Sequence, residues 1–284
     1  MTRPATTAEL SLAEQLCPQF SWENAHVEEG GQFHTVLIAN DQAVIRMART
    51  EAASAQMPRI LKLHELLAQQ LDYPIPTALS PVVTRGTLSS VAMTFLPGAA
   101  HPPHHGDAKI LRQLVADLAA VDLAGLSEYL SEPFAFRGPW TEQRVAESYN
   151  ALPEELRQPS LAIWNQLEAL EQVPPSLVHG DLAGHNMHWI DGKISGILDW
   201  DLAAAWDPAL NTAYLSLWHG QDLIEQIAPD AEQAHRAQIW LGLMSLERLS
   251  DTVSRTDNPK LGKLLRKIGP RIINAAKAAD SRGL

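Results

Sequence analysis
The spacing of apolar and polar positions changes character once along the chain. Residues 22–29 alternate apolar and polar, Gly30-Gly31 interrupts them, and Phe33, Thr35, Val36, Leu37 and Ile38 form a second strand-like run. Asn40-Asp41 marks a turn and Ala43 to Met47 a third run, so the spacing predicts a small antiparallel sheet whose first connection carries glycine. From Glu51 to Leu71 the residues Met57, Ile60, Leu61, Leu63, Leu66, Leu67 and Leu71 recur at helical spacing, and Pro74 and Pro76 stop the helix. Val82-Val83 and Val91 to Phe95 predict two more strands. Leu96-Pro97-Gly98 and the Pro and His run to Gly106 then break the pattern, which places a lobe boundary near residue 97 and predicts lobes of 1–97 and 98–284.

Beyond that point the period is helical. Ala108 to Val121, Thr141 to Asn150, Ser160 to Gln172, Pro208 to Trp218, Ala231 to Ser254 and Asn258 to Ala279 all carry helix-spaced apolar residues. One stretch departs from this. Met187 to Ile190 and Lys193 to Leu198 flank Asp191-Gly192, a strong signal for a hairpin, because a type I′ turn needs positive φ at both central residues. A small hairpin is therefore expected inside a helical lobe, with acidic residues on both sides of it.

Composition narrows the class. The chain has 284 residues, 45% of them apolar and 19% charged, which fits a soluble protein with a sizeable core. Its 22 basic and 33 acidic side chains give a formal charge of -11, a field that repels nucleic acid and anionic lipid. Cys17 is the one cysteine, so no internal disulfide can form, and a reducing cytoplasm is expected. The N-terminus lacks the apolar run of a signal peptide, and no stretch offers about 18 uninterrupted apolar residues for a membrane span.

The chemistry concentrates around the hairpin. His179-Gly180-Asp181-Leu182-Ala183-Gly184-His185-Asn186 precedes it and Asp199-Trp200-Asp201 follows it, so the hairpin brings Asn186 and Asp199 together at one end. Carboxylates and an amide at an irregular loop suit a hard cation such as Mg²⁺, which completes its shell with substrate phosphates, and Asp181 is placed to accept the proton of a hydroxyl. This is the arrangement of phosphoryl transfer.

His179-x-Asp181-Leu182-x-x-x-Asn186 reproduces the spacing of the protein-kinase catalytic loop, with Asp199 where the D-F-G aspartate stands. Gly180 after the His, Asp199-Trp200-Asp201 and the following Asp207-Pro208 resemble the aminoglycoside phosphotransferase family, kinase-like enzymes that phosphorylate small molecules. The resemblance implies an α+β, bilobal protein-kinase-like fold, with an N-lobe of antiparallel sheet plus helix and a mostly helical C-lobe. It implies transfer of the γ-phosphoryl group of Mg²⁺-bound ATP or GTP to a hydroxyl of a small molecule, an antibiotic among the candidates, by a chain taken as a monomer. Asp181 would be the catalytic base, Asn186 and Asp199 the Mg²⁺ ligands, and Asp207 a structural aspartate that helps hold the catalytic loop. Gly30, Gly31 and Gln32 would cover the nucleotide, Arg46 would take the position of the phosphate-binding lysine, and Met93, Thr94, Phe95 and Leu96 would form the hinge that reads the base. Two departures stand out: the helix glutamate that usually pairs with the basic residue falls near Ile60, where neither Glu51 nor Glu65 fits, and Asn211 stands where many relatives have aspartate.

Other readings compete at several positions. A nucleotide-binding protein without turnover would follow from the missing glutamate, and a metal hydrolase would use His179, Asp181, His185 and His188. His179 alone is better read as a loop brace than as a proton carrier. His101, His104 and His105 read as a solvated linker, and Trp206, Trp218 and Trp240 as core rather than acceptor pocket. Glu247 and Asp251 stand one turn apart and could meet a cationic acceptor, or simply face solvent. The basic last helix, with Lys260, Lys263, Arg266, Lys267 and Arg271, suggests a membrane or partner surface but reads better as a packed terminal helix.

Overall fold
The computed structural model describes residues 2–39, 41–254 and 261–282. In chain order the first elements are β1 (Thr2–Pro4), α1 (Thr7–Leu16), β2 (His26–Glu28), β3 (His34–Ala39), β4 (Ala43–Ala48), α2 (Glu51–Leu67), β5 (Val83–Arg85) and β6 (Leu88–Thr94). Helices α3 (Ala108–Ala119), α4 (Glu142–Ala151), α5 (Glu154–Trp164) and α6 (Leu167–Glu171) follow. Next come β7 (Ser176–Val178), the hairpin β8 (Met187–Ile190) and β9 (Lys193–Ile197), and β10 (Ala204–Trp206). The chain continues through α7 (Ala209–His219), α8 (Ile224–Ile227), α9 (Ala231–Val253) and α10 (Leu261–Arg282).

These elements form two compact units, Met1–His101 with His185–Trp200, and Pro102–Gly184 with Asp201–Leu284. The first holds a six-stranded sheet in the order β1-β2-β3-β4-β6-β5, antiparallel throughout. The alternation read from the sequence orients β3 and β4: Leu37 and Ile45 are opposite one another and fully buried, in a core shared with Val27 and Ala92. The expected strand over 22–29 contracts to β2, because Trp22 and Ala25 enter the core from a turn instead. On α2 the predicted stripe packs Met57 against Ala48, Val91 and Met93.

The sequence pattern missed β1 and α1. Three residues carry no readable period, and α1 is fixed by its cap: Thr6 Oγ1 accepts from the Glu9 amide while Glu9 accepts from the Thr6 amide. Its buried Leu12, Ala13 and Leu16 join the sheet core with Cys17.

Asp191 and Gly192 both have positive φ, as the type I′ turn of β8 and β9 requires. By its contacts this hairpin belongs to the sheet unit and not to the helical region on either side of it in sequence. Ala99 and Trp189 exchange backbone hydrogen bonds, the Ile197 amide donates to Pro74 O at 2.9 Å, and Ser195 Oγ donates to Pro97 O at 2.6 Å. Gly98 permits the approach: at φ +107° an added Cβ would lie 2.8 Å from Trp189 O.

In the second unit α9 and α10 pack against α5 and α7 around Ile163, Trp240, Leu246, Ile268 and Ile272. The helix expected over Ser160 to Gln172 is two, α5 and α6, since the chain turns at Asn165-Gln166, and α5 begins earlier, at Glu154. The last helix runs from Leu261; its expected start at Asn258 lies outside the described residues. The pair β7 and β10 is antiparallel and too short to be read from period.

Candidate active site
In the sheet unit, the register β3-β4-β6 sets Arg46 between Val36 and Val91. Its guanidinium donates to Asp199 Oδ1 at 3.3 Å and to His34 Nδ1 at 3.0 Å. The sequence reading placed Arg46 and Asp199 at separate tasks; here they form one ion pair, and His34 is a partner that no motif announced. The position expected for the helix glutamate on α2 holds an apolar residue. Ile60 is core, and Glu65 pairs instead with Lys62 at 2.7 Å.

Asn186 ends a short 3₁₀ turn, is buried, and accepts the Leu198 amide on its backbone carbonyl at 2.8 Å. Met187 pairs with Ile197 in the hairpin, so Asn186 and Leu198 face each other at its base, and Asp199 follows at once with φ +59°. A non-glycine residue in that region costs energy that surrounding structure must offset, and such residues cluster at functional sites. Asn186 and Asp199 thus offer hard oxygen donors, one anionic, at the base of one hairpin, and this donor set fits Mg²⁺.

The glycine-bearing connection is exposed and pinned by Arg49, which donates to Gly31 O at 2.7 Å and Glu29 O at 3.4 Å. Gly31 is required by space, since a Cβ there would meet His34 O at 2.6 Å, whereas a Cβ on Gly30 would meet nothing within 4 Å, and Gln32 is exposed. Along 93–96, Met93 is buried opposite Val44, and the Thr94 amide donates to Thr77 O at 2.9 Å. Phe95 is partly buried, and Leu96 O accepts from His188 Nδ1 at 2.9 Å. Besides the pairing of Met93 and Thr94 with β4, the Thr94 amide and the Leu96 carbonyl are therefore engaged within the protein.

In the helical unit the loop from His179 to Gly184 carries Asp181, partly exposed. His179 is fully buried and its Nδ1 accepts the Asp181 amide at 3.3 Å, so the histidine braces the loop. The buried Asn211 holds it from the other side, accepting the His179 amide at 3.1 Å and donating to Leu177 O at 2.9 Å. Gly180, at φ +85°, leaves no room for a Cβ against Leu202. Asp207 acts one step away: its carboxylate accepts from Trp240 Nε1 at 2.7 Å, Arg236 Nε at 3.2 Å and the Ala209 amide at 3.0 Å, joining α7 to α9. The tie to the catalytic loop comes from Asn211, which the sequence presented only as a departure.

The histidine run is structured. The His104 amide donates to Trp218 O at 2.9 Å, His219 Nδ1 bonds to His105 O, and His101 meets Trp189 edge-on at 4.3 Å. Among the described residues no group of three or more His, Cys, Asp or Glu side chains could hold a metal ion. No helix among them is long and apolar enough to cross a membrane.

A model of the Phosphotransferase enzyme family matches residues 26–246, well over half of the chain. The chain belongs to this family. This phosphotransferase is 29% identical over 234 residues to viomycin phosphotransferase of Streptomyces vinaceus, spanning 76% of the chain and 80% of that protein. Among solved structures it resembles the GDP complex of wild-type aminoglycoside 2'-phosphotransferase-IIIa, with a TM-score of 0.74 and 17% identity over 93% of this chain and 97% of the other. It also resembles a macrolide 2'-phosphotransferase from Brachybacterium faecium, with a TM-score of 0.66 and 21% identity over 98% of each chain. At these identities the structural likeness shows the fold: the kinase-like arrangement of an N-terminal antiparallel sheet with helices and a helical C-terminal part.

Proposed function
We propose that this phosphotransferase moves the γ-phosphoryl group of Mg²⁺-bound ATP or GTP to a hydroxyl of a small-molecule antibiotic. Membership of the family supports the reaction type, and relatives named for viomycin, aminoglycosides and macrolides support the acceptor class. The observation that carries the site is the Arg46–Asp199 pair, because it sets a fixed cation beside the anionic oxygen donor at the hairpin base. Arg46 would hold the nucleotide phosphates as a fork of donors, with the Gly30-Gly31-Gln32 connection over them. Backbone groups of Met93, Thr94, Phe95 and Leu96 not already engaged would read the base. Asn186 and Asp199 would hold Mg²⁺, which supplies neutralisation of phosphate charge. Asp181, oriented by the His179 brace, would accept the acceptor's proton.

Replacing Asp181 by Asn is expected to lower the transfer rate by about 10² to 10⁴ with nucleotide binding retained. Thermal stability titrated with ATP and GTP, with and without Mg²⁺, reads that binding independently, since a ligand of the native state raises apparent stability. An unchanged rate sinks the assignment of Asp181. Nucleotide binding without transfer to any acceptor would instead point to a protein that binds nucleotide and does not turn it over.

A further inference from the structure
A cavity of about 50 Å³ in the helical unit lies against the loop that carries Asp181, with Gly180 in its wall. The rest of that wall is mainly hydrocarbon. Phe134 meets Trp206 edge-on at 4.5 Å and Trp206 meets Trp240 at 5.2 Å, a packed aromatic set backed by Leu243 and Met244. Phe136, also in the wall, is 41% exposed, a large apolar side chain standing in water.

The wall carries two carboxylates and one guanidinium. Glu132 is exposed and screened by solvent, while Glu247 is mostly buried and paired with Arg137 at 3.5 Å. Arg137 in turn packs over the Phe136 ring at 4.9 Å. Burial raises the Glu247 pKa, and the charges of Arg137 and Arg144 pull it back. Tyr214 adds no charge, because burial and the negative fields of Glu247 and Asp181 keep its phenol protonated. An ammonium group entering here would lose its water and find the one buried carboxylate already engaged by an arginine. The idea that Glu247 receives a cationic acceptor therefore loses its basis.

Resting on the role of Asp181 proposed above, we propose that this cavity seats an uncharged, apolar substituent of the phosphoryl acceptor, and that the Arg137–Glu247 pair disfavours polyamine acceptors. Aromatic walls then select a largely apolar hydroxylated molecule, such as a macrolide lactone, over an aminoglycoside.

Tryptophan emission of the full-length protein, titrated with erythromycin or kanamycin without nucleotide, tests this, with Trp206→Phe identifying the signal that arises at the cavity. The expected result is a Trp206-dependent change with erythromycin at a Kd at least about tenfold below that for kanamycin. Phe136→Ala should weaken erythromycin binding about fivefold or more, and Arg137→Met should narrow the preference by freeing the Glu247 carboxylate. Kanamycin binding as tight or tighter, or no Trp206-dependent change with either ligand, overturns the inference. Transfer from Mg²⁺ nucleotide, followed in parallel, separates the two conclusions. Transfer to kanamycin with the higher kcat/KM overturns the cavity preference and leaves phosphotransfer standing. Tighter erythromycin binding without transfer to it upholds the cavity preference and removes the support for phosphotransfer.

Discussion

Two arginine–aspartate pairs of nearly equal length occupy different surroundings. Arg46–Asp199, at 3.3 Å in the sheet unit, leaves its carboxylate side chain 51% exposed and its arginine 13%. Arg236–Asp207, at 3.2 Å in the helical unit, is sealed, with exposures of 8% and 0%. The buried carboxylate spends its acceptor capacity on Trp240, Arg236 and Ala209, so nothing is left over for a ligand. Its counterpart is half exposed and sits on backbone of positive φ, the surroundings that suit the ligand-binding role proposed for it better than a purely structural one.

The sharpest way to break the comparison is at the buried pair. Asp207→Ala strands Arg236 and the Trp240 indole without their acceptor and is expected to lower the free energy of unfolding by about 3 to 5 kcal/mol, measured by denaturant titration. A loss below about 1 kcal/mol would mean that Glu232, 2.8 Å from the Arg236 guanidinium, suffices as its partner. Asp199→Ala should do the reverse. Transfer should slow by at least about 100-fold, close to 2.7 kcal/mol of transition-state stabilisation, while unfolding shifts by less than about 1 kcal/mol. If it unfolds the protein instead, the two pairs are alike and the functional assignment of Asp199 fails.

Arg46→Lys refines the exposed side. It keeps the charge and loses the fork, so the nucleotide KM should rise about tenfold, roughly 1.4 kcal/mol, with stability unmoved. A KM equal to that of the parent would show that charge alone is recognised. The smallest effect concerns a third pair, Arg3–Glu9, which is only partly buried. Hydrogen bonding to Arg3, and then to Thr6, pulls the Glu9 pKa from 4.5 to about 2 against the effect of burial. A depressed carboxylate stabilises the fold above the unfolded value and loses that contribution as pH falls from 4.5 towards 2. Solvent screening keeps it to about 1 kcal/mol, and Glu9→Gln should flatten that part of the acid unfolding curve.

What could be read from the chain followed from local rules. Asp191-Gly192 announced its hairpin because only certain residues accept two successive positive φ values, and the apolar spacing of 51–71 announced α2 because a helix face repeats every 3.6 residues. The run from His179 to Asn186 with Asp199 was legible as chemistry because its spacing is tied to one reaction. The contacts that went unseen act across distance in sequence. His34 reaches Arg46, His188 reaches the carbonyl of Leu96, and Asn211 reaches the backbone on either side of the catalytic-loop entrance. No period or motif marks such side chains, since their partners are chosen by register and packing.

The sequence by itself determined the order of sheet and helix and the hairpin, and it supplied the spacing from which the residues of phosphoryl transfer are proposed. Each depends on backbone geometry or side-chain chemistry within a few positions. Tertiary structure alone decided that the hairpin joins the sheet unit, that Arg46 bonds to Asp199 and His34, and that one aspartate of two is shut away from water. Those outcomes depend on which surfaces bury one another. Burial sets the electrostatic environment of a charged group, and with it whether that group holds the fold together or remains available to a ligand.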